Sequence, residues 1–213
     1  MADRIDSVLV ERARRALRRG DPVLGAVIRR VGACELKRRG DPYRYLVRSV
    51  LYQQITGAAG RAIEKRLHAA FGGRVPIPAQ LRIAATETLR SAGLSRQKID
   101  SIRAIATAFD ERTLDGRTLA RLPDEAVVDA VTQVRGVGEW TAHMLLIFCL
   151  GRPDVLPVGD YGVRKGMQQL YHLRELPKPQ KMARIAAPWR PYRSIASWYL
   201  WRSLDLRPPG GTE

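Results

Sequence analysis

The chain has 213 residues, enough to bury a full core, and 37 Lys and Arg face 21 Asp and Glu for a formal net charge of +16. That charge implies a polyanionic partner, and arginine dominates it. No apolar run approaches the roughly 18 residues a bilayer span needs, and no leader is recognised at the N-terminus, so a bacterial-type cytoplasm or nucleoid is expected. Two cysteines, Cys34 and Cys149, exclude a disulfide framework and fall short of the four thiolates of an iron-sulfur cluster. His68, His143 and His172 show no ligand spacing.

Almost every segment carries the helical period, and no alternating β-branched run is long enough for a sheet, so the predicted class is all-α. Asp3 to Arg19 forms a helix with Ile5, Val8, Leu9 and Ala16 inward and Arg12, Arg14, Arg15, Arg18 and Arg19 outward as a solvated face. Asp21-Pro22 caps a helix running to about Val31, and Asp41-Pro42 repeats the device before a longer helix that runs into Tyr52-Gln53-Gln54-Ile55-Thr56. Ala58 to Phe71 follows, then Pro76-Ile77-Pro78 as a turn before short helices at Ala79–Ala84 and Thr86–Ala92. Ser95 caps a long helix through Ile99, Ile102, Ile105 and Phe109, and a short one lies near Thr118–Leu122.

Pro123-Asp124-Glu125 opens an amphipathic helix with Val127, Val131 and Val134 on one face. Val134-Arg135-Gly136-Val137-Gly138 then turns the chain into Glu139–Leu150, which is apolar almost throughout and therefore predicted to be buried. Both glycines are expected to supply positive φ and close backbone approach, while the first N–H groups of the second helix have no partner within it. Free donors and the positive end of a helix dipole suit a phosphate; an ordinary helix-to-helix glycine turn is the alternative. Further on, Pro157-Val158-Gly159-Asp160 leads into helices at Tyr161–Tyr171, Pro179–Ala187 and Tyr192–Leu204. The tail 207–213, with two prolines and two glycines, is expected to be disordered.

V-R-G-V-G-E-W-T-A at 134–142 resembles the signature of the helix-hairpin-helix DNA glycosylase superfamily, and P-V-G-D-Y at 157–161 resembles its Gly/Pro-rich loop ending in a catalytic aspartate. Trp140, where members with lyase activity carry lysine, points to the 3-methyladenine DNA glycosylase II branch. The resemblance runs from about Tyr43 to Trp201. It implies two helical lobes flanking a catalytic cleft without an N-terminal β domain: 1–43 packing with the C-terminal lobe, 44–150 as the central bundle, and 151–206 as catalytic loop and final helices. The hairpin and Asp160 would both face that cleft.

The activity implied is monofunctional removal of alkylated purines such as 3-methyladenine and 7-methylguanine from double-stranded DNA, by a monomer needing no cofactor. Asp160 would stabilise positive charge growing on the sugar, although an Asp after Gly also commonly caps a helix. Trp140, Tyr161 and Trp201 map to the family's base pocket, with Met144 and Arg202 at positions where its best-known members are aromatic; core packing is the alternative for the aromatics. Gln54, with Gln53 beside it, would be the wedge that fills the gap left by an extruded base, or else these are capping amides. Gly136, Gly138 and Thr141 would hold a phosphate, and the carbonyls of Thr132, Val134 and Val137 a structural Na+ or K+. Gly159 stands where the best-known relatives have a second acid, and Lys165 is assigned to a phosphate or the surface. A glycosylase for a deaminated or oxidised base, or a non-catalytic hairpin clamp on DNA, are the competing functions.

Overall fold

The computed structural model describes residues 5–38 and 40–206, and every regular element among them is helical. Asp3 and the tail 207–213 lie outside the described residues; the first helix begins at Ser7 behind the Asp6 cap, later than expected, and Val8 and Ala16, expected inward, are exposed. The chain divides into two compact units, one of residues 5–38 and 146–206, the other Gly40–Leu145. Helices α1 (Ser7–Gly20) and α2 (Pro22–Val31) precede the first boundary. The second unit carries α3 (Pro42–Tyr52), α4 (Gly57–Ala70), α5 (Pro78–Ile83), α6 (Thr86–Ser91), α7 (Arg96–Asp110), α8 (Gly116–Leu119), α9 (Asp124–Thr132) and α10 (Glu139–Met144). A π-helical stretch, Leu145–Leu150, continues α10 across the boundary, followed by α11 (Tyr161–Leu170), α12 (Pro179–Ile185), a single 3-10 turn at Ala187–Trp189, and α13 (Arg193–Ser203). The run expected as one helix from Glu139 to Leu150 thus changes pitch midway, and its side chains from Thr141 onward are mostly buried.

The caps read from sequence at Asp21, Asp41 and Ser95 form, and Asp6, Thr56 and Asp115, which the sequence reading did not single out, cap helices in the same way: each accepts a backbone N–H from the first turn of the following helix. Asp21 does more than cap. Its Oδ1 takes the Leu24 N–H at 3.0 Å, while Oδ2 takes the Tyr171 hydroxyl at 2.5 Å and the Trp189 indole N–H at 2.8 Å. One buried carboxylate therefore ties the start of α2 to the end of α11 and to the 3-10 turn, and these donors compensate its loss of water.

Each unit is built around one helix. In the second unit α7 lies against α3 and α5, and its Ile99, Ile102, Ile105 and Ala106 meet the buried faces of those helices, among them Leu46, Val50 and Leu81. In the first, α13 packs on α1, α2 and α11, and Ser194–Ser197, Tyr199 and Leu200 are all buried. Helix α13 thus runs through the inside of its unit although it is not apolar throughout: Ser194 and Ser197 are buried with the apolar side chains, and Arg202 is its exposed residue.

Helix α11 comes close to α13 because it presents Gly162 and Gly166 to it. A Cβ at Gly166 would lie 2.9 Å from the Leu200 carbonyl oxygen, a backbone atom that cannot swing aside. Gly166→Ala is therefore expected to lower stability by about 1–3 kcal/mol through overpacking. A reduced urea midpoint with an unchanged m value checks this; an unchanged midpoint would mean that the helices separate without cost.

Candidate active site and nucleic-acid interface

The loop between Gly151 and Asp160 is fastened to the first turn of α13. The Ser194 hydroxyl donates to the Arg152 carbonyl at 2.7 Å and accepts the Val155 N–H at 3.0 Å, while the Ser194 N–H donates to the Pro153 carbonyl at 2.9 Å. Arg193 grips Asp154 through two guanidinium bonds, Nε to Oδ1 at 2.7 Å and Nη2 to Oδ2 at 3.0 Å, and its Nη2 also reaches the Asp154 carbonyl at 2.7 Å. Such a fork fixes orientation as well as distance. The loop then closes on itself, with the Asp160 N–H on the Pro157 carbonyl at 2.9 Å.

Asp160 sits at the head of α11 and is 8% exposed. Its Oδ1 accepts two donors, the Val163 N–H at 2.8 Å and the Trp201 indole N–H at 2.8 Å. The capping role foreseen as an alternative is real, and it leaves the residue a carboxylate held at a helix N-terminus, where the dipole favours negative charge. Trp201, on the last turns of α13, stacks on Phe148 with ring centroids 5.6 Å apart and planes 25° apart. Gly162 makes room for the indole: a Cβ there would come within 2.8 Å of its Cδ1. Tyr161, the next residue after Asp160, is 65% exposed. Arg202 lies exposed with its guanidinium 5.8 Å from the centre of the Trp198 ring and 3.3 Å from Asp205 Oδ2. Lys165 Nζ donates to Gln168 Oε1 at 2.9 Å.

In the second unit the two glycines of the hairpin turn out to be different. Gly136 has φ +86°, and a Cβ on it would fall 2.2 Å from the Ser101 hydroxyl oxygen, so it satisfies both a left-handed turn and a close approach to α7. Gly138 does not take positive φ as expected: it is extended, with φ −93° and ψ 172°, because it serves as the N-cap of α10. A Cβ on Gly138 would meet nothing within 4 Å, and no side chain caps the N–H groups that open α10. Thr141 is buried, so this corner offers the surface Gly138, Glu139 and Trp140. Trp140 is 45% exposed and Met144 is buried. Val134 already accepts the Val137 N–H on its carbonyl at 3.0 Å, which leaves that oxygen one further lone pair.

The helix expected to run through Gln53 and Gln54 ends at Tyr52, and the two amides have separate fates. Gln53 Nε2 donates to the Gly136 carbonyl at 3.2 Å, tying this loop to the hairpin. Gln54 is exposed and held at φ +56°, a conformation uncommon for a residue with a side chain. Lys98 Nζ caps the end of α3 through the Leu51 carbonyl at 2.7 Å, and its burial lowers the ammonium pKa. Tyr52 donates its hydroxyl to Glu64 at 2.7 Å, and the Arg48 guanidinium lies 4.2 Å from the centre of its ring and 3.2 Å from the same carboxylate. A concavity of about 460 Å³ opens here, lined by Arg48, Ser49, Tyr52, Gln53, Gln54 and Trp140. Sequence reading missed Arg48, Tyr52 and Lys98; nothing in their local pattern marks them. Among the described residues no group of three His, Cys, Asp or Glu could hold a metal ion, and no helix is long and apolar enough to cross a membrane.

Two helices joined at a glycine corner with uncapped donors, together with a carboxylate fixed at the head of another helix, define the helix-hairpin-helix class of DNA-acting proteins. Residues 47–191 match the family described as HhH-GPD superfamily base excision DNA repair protein, and the chain belongs to it. The DNA-3-methyladenine glycosylase 1 of Schizosaccharomyces pombe is 36% identical over 168 residues, 78% of this chain and 74% of that one. The solved structure of the 3-methyladenine DNA glycosylase of the same yeast in complex with abasic DNA has a TM-score of 0.82 at 32% identity, covering 92% of this chain and 97% of that chain. A DNA-3-methyladenine glycosidase from Bacillus halodurans gives 0.79 at 34% identity, covering 88% and 86%.

The two hairpin glycines are expected to respond differently to alanine. Gly136→Ala should cost about 1–3 kcal/mol of stability from the strained turn and the collision with Ser101. Gly138→Ala should leave the melting temperature unchanged while weakening binding to any DNA sequence, on the order of tenfold, by obstructing approach to the uncapped donors. Thermal unfolding and anisotropy titration of both variants check this; a Gly138→Ala protein with full affinity would show that nothing approaches that corner.

Proposed function

We propose that the protein is a monofunctional DNA glycosylase of the 3-methyladenine II type, which flips an alkylated purine out of damaged duplex DNA and hydrolyses its bond to deoxyribose. The single observation that carries this reading is the Asp160 carboxylate, fixed by the Val163 and Trp201 N–H groups. An alkylated purine already bears positive charge, so the C1′–N bond breaks with the electron pair leaving on the base, which becomes neutral. Positive charge then rests on the sugar as an oxocarbenium ion, and a fixed carboxylate stabilises it electrostatically. A water oxygen adds to C1′ and gives up a proton to the surrounding solvent, leaving an abasic site.

The remaining residues take roles that fit their surroundings. The exposed rings of Trp140 and Tyr161 are surfaces of the kind on which an extruded base stacks, and exposed Gln54 is the wedge. Trp201 is assigned to hold Asp160 in addition to any wall it offers a base. The uncapped start of α10 is assigned to a phosphate. The carbonyls of Thr132, Val134 and Val137 are neutral oxygen donors and suit a monovalent Na+ or K+, which would supply positive charge toward that phosphate. Trp140 cannot form an imine with an opened sugar, so no lyase step is assigned. With a net charge of +16 opposing self-association, the working form is taken as a monomer, acting at the nucleoid of a bacterial-type cytoplasm without an iron-sulfur cluster.

The test is release of bases from DNA containing 3-methyladenine, 7-methylguanine, 1-methyladenine or hypoxanthine. Release of the first two supports the reading; release of hypoxanthine alone moves it to another lesion, and no release by a folded, DNA-binding protein ends it. Asp160→Asn retains the cap and the acceptor for Trp201 but not the charge, so it is expected to bind DNA normally and lose on the order of a thousandfold in rate. Trp201→Phe keeps a ring against Phe148 while removing one hydrogen bond to Asp160; a roughly tenfold drop in kcat is expected. Borohydride should trap no covalent enzyme–DNA product, and a trapped band would overturn the monofunctional assignment.

A further inference from the structure

The sequence reads the α1 arginines as a solvated face, but part of that face is gathered into a hollow. Arg15, Arg18 and Arg19 from α1 and Arg29 from α2 line one concavity of about 260 Å³, and no acidic residue shares the lining. The two helices meet closely at this point because Gly25 lies against the α1 backbone, where a Cβ would be 3.1 Å from the Arg18 carbonyl oxygen. None of the four guanidinium groups is paired with a carboxylate among the described residues, whereas Arg14 on the same helix pairs with Glu11 at 2.6 Å. Arg18 and Arg19 occupy the last turn of α1 and Arg29 the last turn of α2, ends that favour a cation. That preference accounts for arginine at each helix end, not for four of them around one hollow. Converging like charges repel, and an anion between them relieves the repulsion. The planar forks of arginine match phosphate oxygens in pairs.

We propose that this hollow binds phosphodiester groups of DNA outside the damaged nucleotide, as a backbone contact separate from the hairpin. The proposal rests on the chain acting on DNA, and DNA is the polyanion that its family membership puts within reach. Each phosphate neutralised there releases counterions, so the hollow adds to the salt dependence of binding irrespective of base sequence.

The experiment is a salt series of anisotropy titrations on an undamaged duplex with the intact protein. Three forms are compared: wild type, the double variant Arg15→Gln/Arg29→Gln, and the control Arg112→Gln/Arg174→Gln, which removes two exposed arginines outside the hollow. Since all four positions are exposed, each variant is expected to melt as wild type does. The slope of log affinity against log salt should become shallower by about 2 in the hollow variant, with affinity reduced about tenfold or more near physiological salt. The control should move the slope by less than half that amount. An unchanged slope in the hollow variant overturns the proposal, and so does an equal change in the control, which would make net charge alone responsible. Loss of binding to phosphatidylserine vesicles with DNA binding intact would also overturn it, by assigning the hollow to a lipid surface. Because this duplex carries no lesion, binding is read independently of base release: a wild-type protein that releases no base from the damaged DNA of the preceding test yet shows the predicted slopes here would retract the glycosylase reading and leave the hollow standing.

Discussion

One carboxylate oxygen, Asp160 Oδ1, is shared by an N–H of its own helix and an indole N–H from α13, 41 positions further on. These bonds suit the role proposed for the residue, because stabilising a cationic sugar requires an anion whose position is fixed before the charge develops. The two N–H donors and the positive end of α11 fix its position and face its negative charge. The rest of the first unit serves to keep the donors in place. Helix α13 acts as a ruler, with Arg193 and Ser194 at its start holding the incoming loop and Trp201 near its end holding the carboxylate.

The second unit solves a different problem, the positioning of uncharged backbone donors, and the opening turns of α7 solve it. Lys98 ties the end of α3, Asp100 pairs with Arg135 at 3.2 Å, and Ser101 lies where a side chain on Gly136 would have to go. Gln53 completes the circuit by joining the loop after α3 to the turn itself. The strained conformation of Gln54 is thereby set between fixed neighbours, which is the condition under which such strain persists.

How far the sequence discloses this depends on the chain separation of the interactions. Helix periods and caps arise within four residues, so Asp21-Pro22, Asp41-Pro42, Ser95 and Asp160 announce themselves, and the spacing between the hairpin and Asp160 carries the family. Gly136 and Gly138 look equivalent in a string of letters; only the backbone reveals one as a left-handed corner and the other as an extended cap. The link from Trp201 to Asp160, the clasp of Arg193 on Asp154, and the second set of bonds to Asp21 each depend on partners dozens of positions away. Gly162 and Gly166 gave one unused clue, since two small residues four apart on a helix mark a face against which another backbone can lie. The arginine hollow was out of reach because it exists only where two helices are superposed.

An anion on a DNA-binding surface carries an electrostatic penalty, and the position of the compensating charges decides what each can do. The excess of arginine gives the chain a long-range attraction for DNA, but salt screens exposed charges beyond about 8–10 Å at physiological ionic strength. Arginines distributed over the surface therefore favour encounter without setting the local balance at Asp160. At Asp160 Oδ1 two neutral donors, a backbone N–H and an indole, are in direct contact with the carboxylate. A dipolar donor fixes an anion without cancelling its charge, so the Trp201 indole can hold the carboxylate and still leave it able to act on a cationic sugar in the proposed reaction.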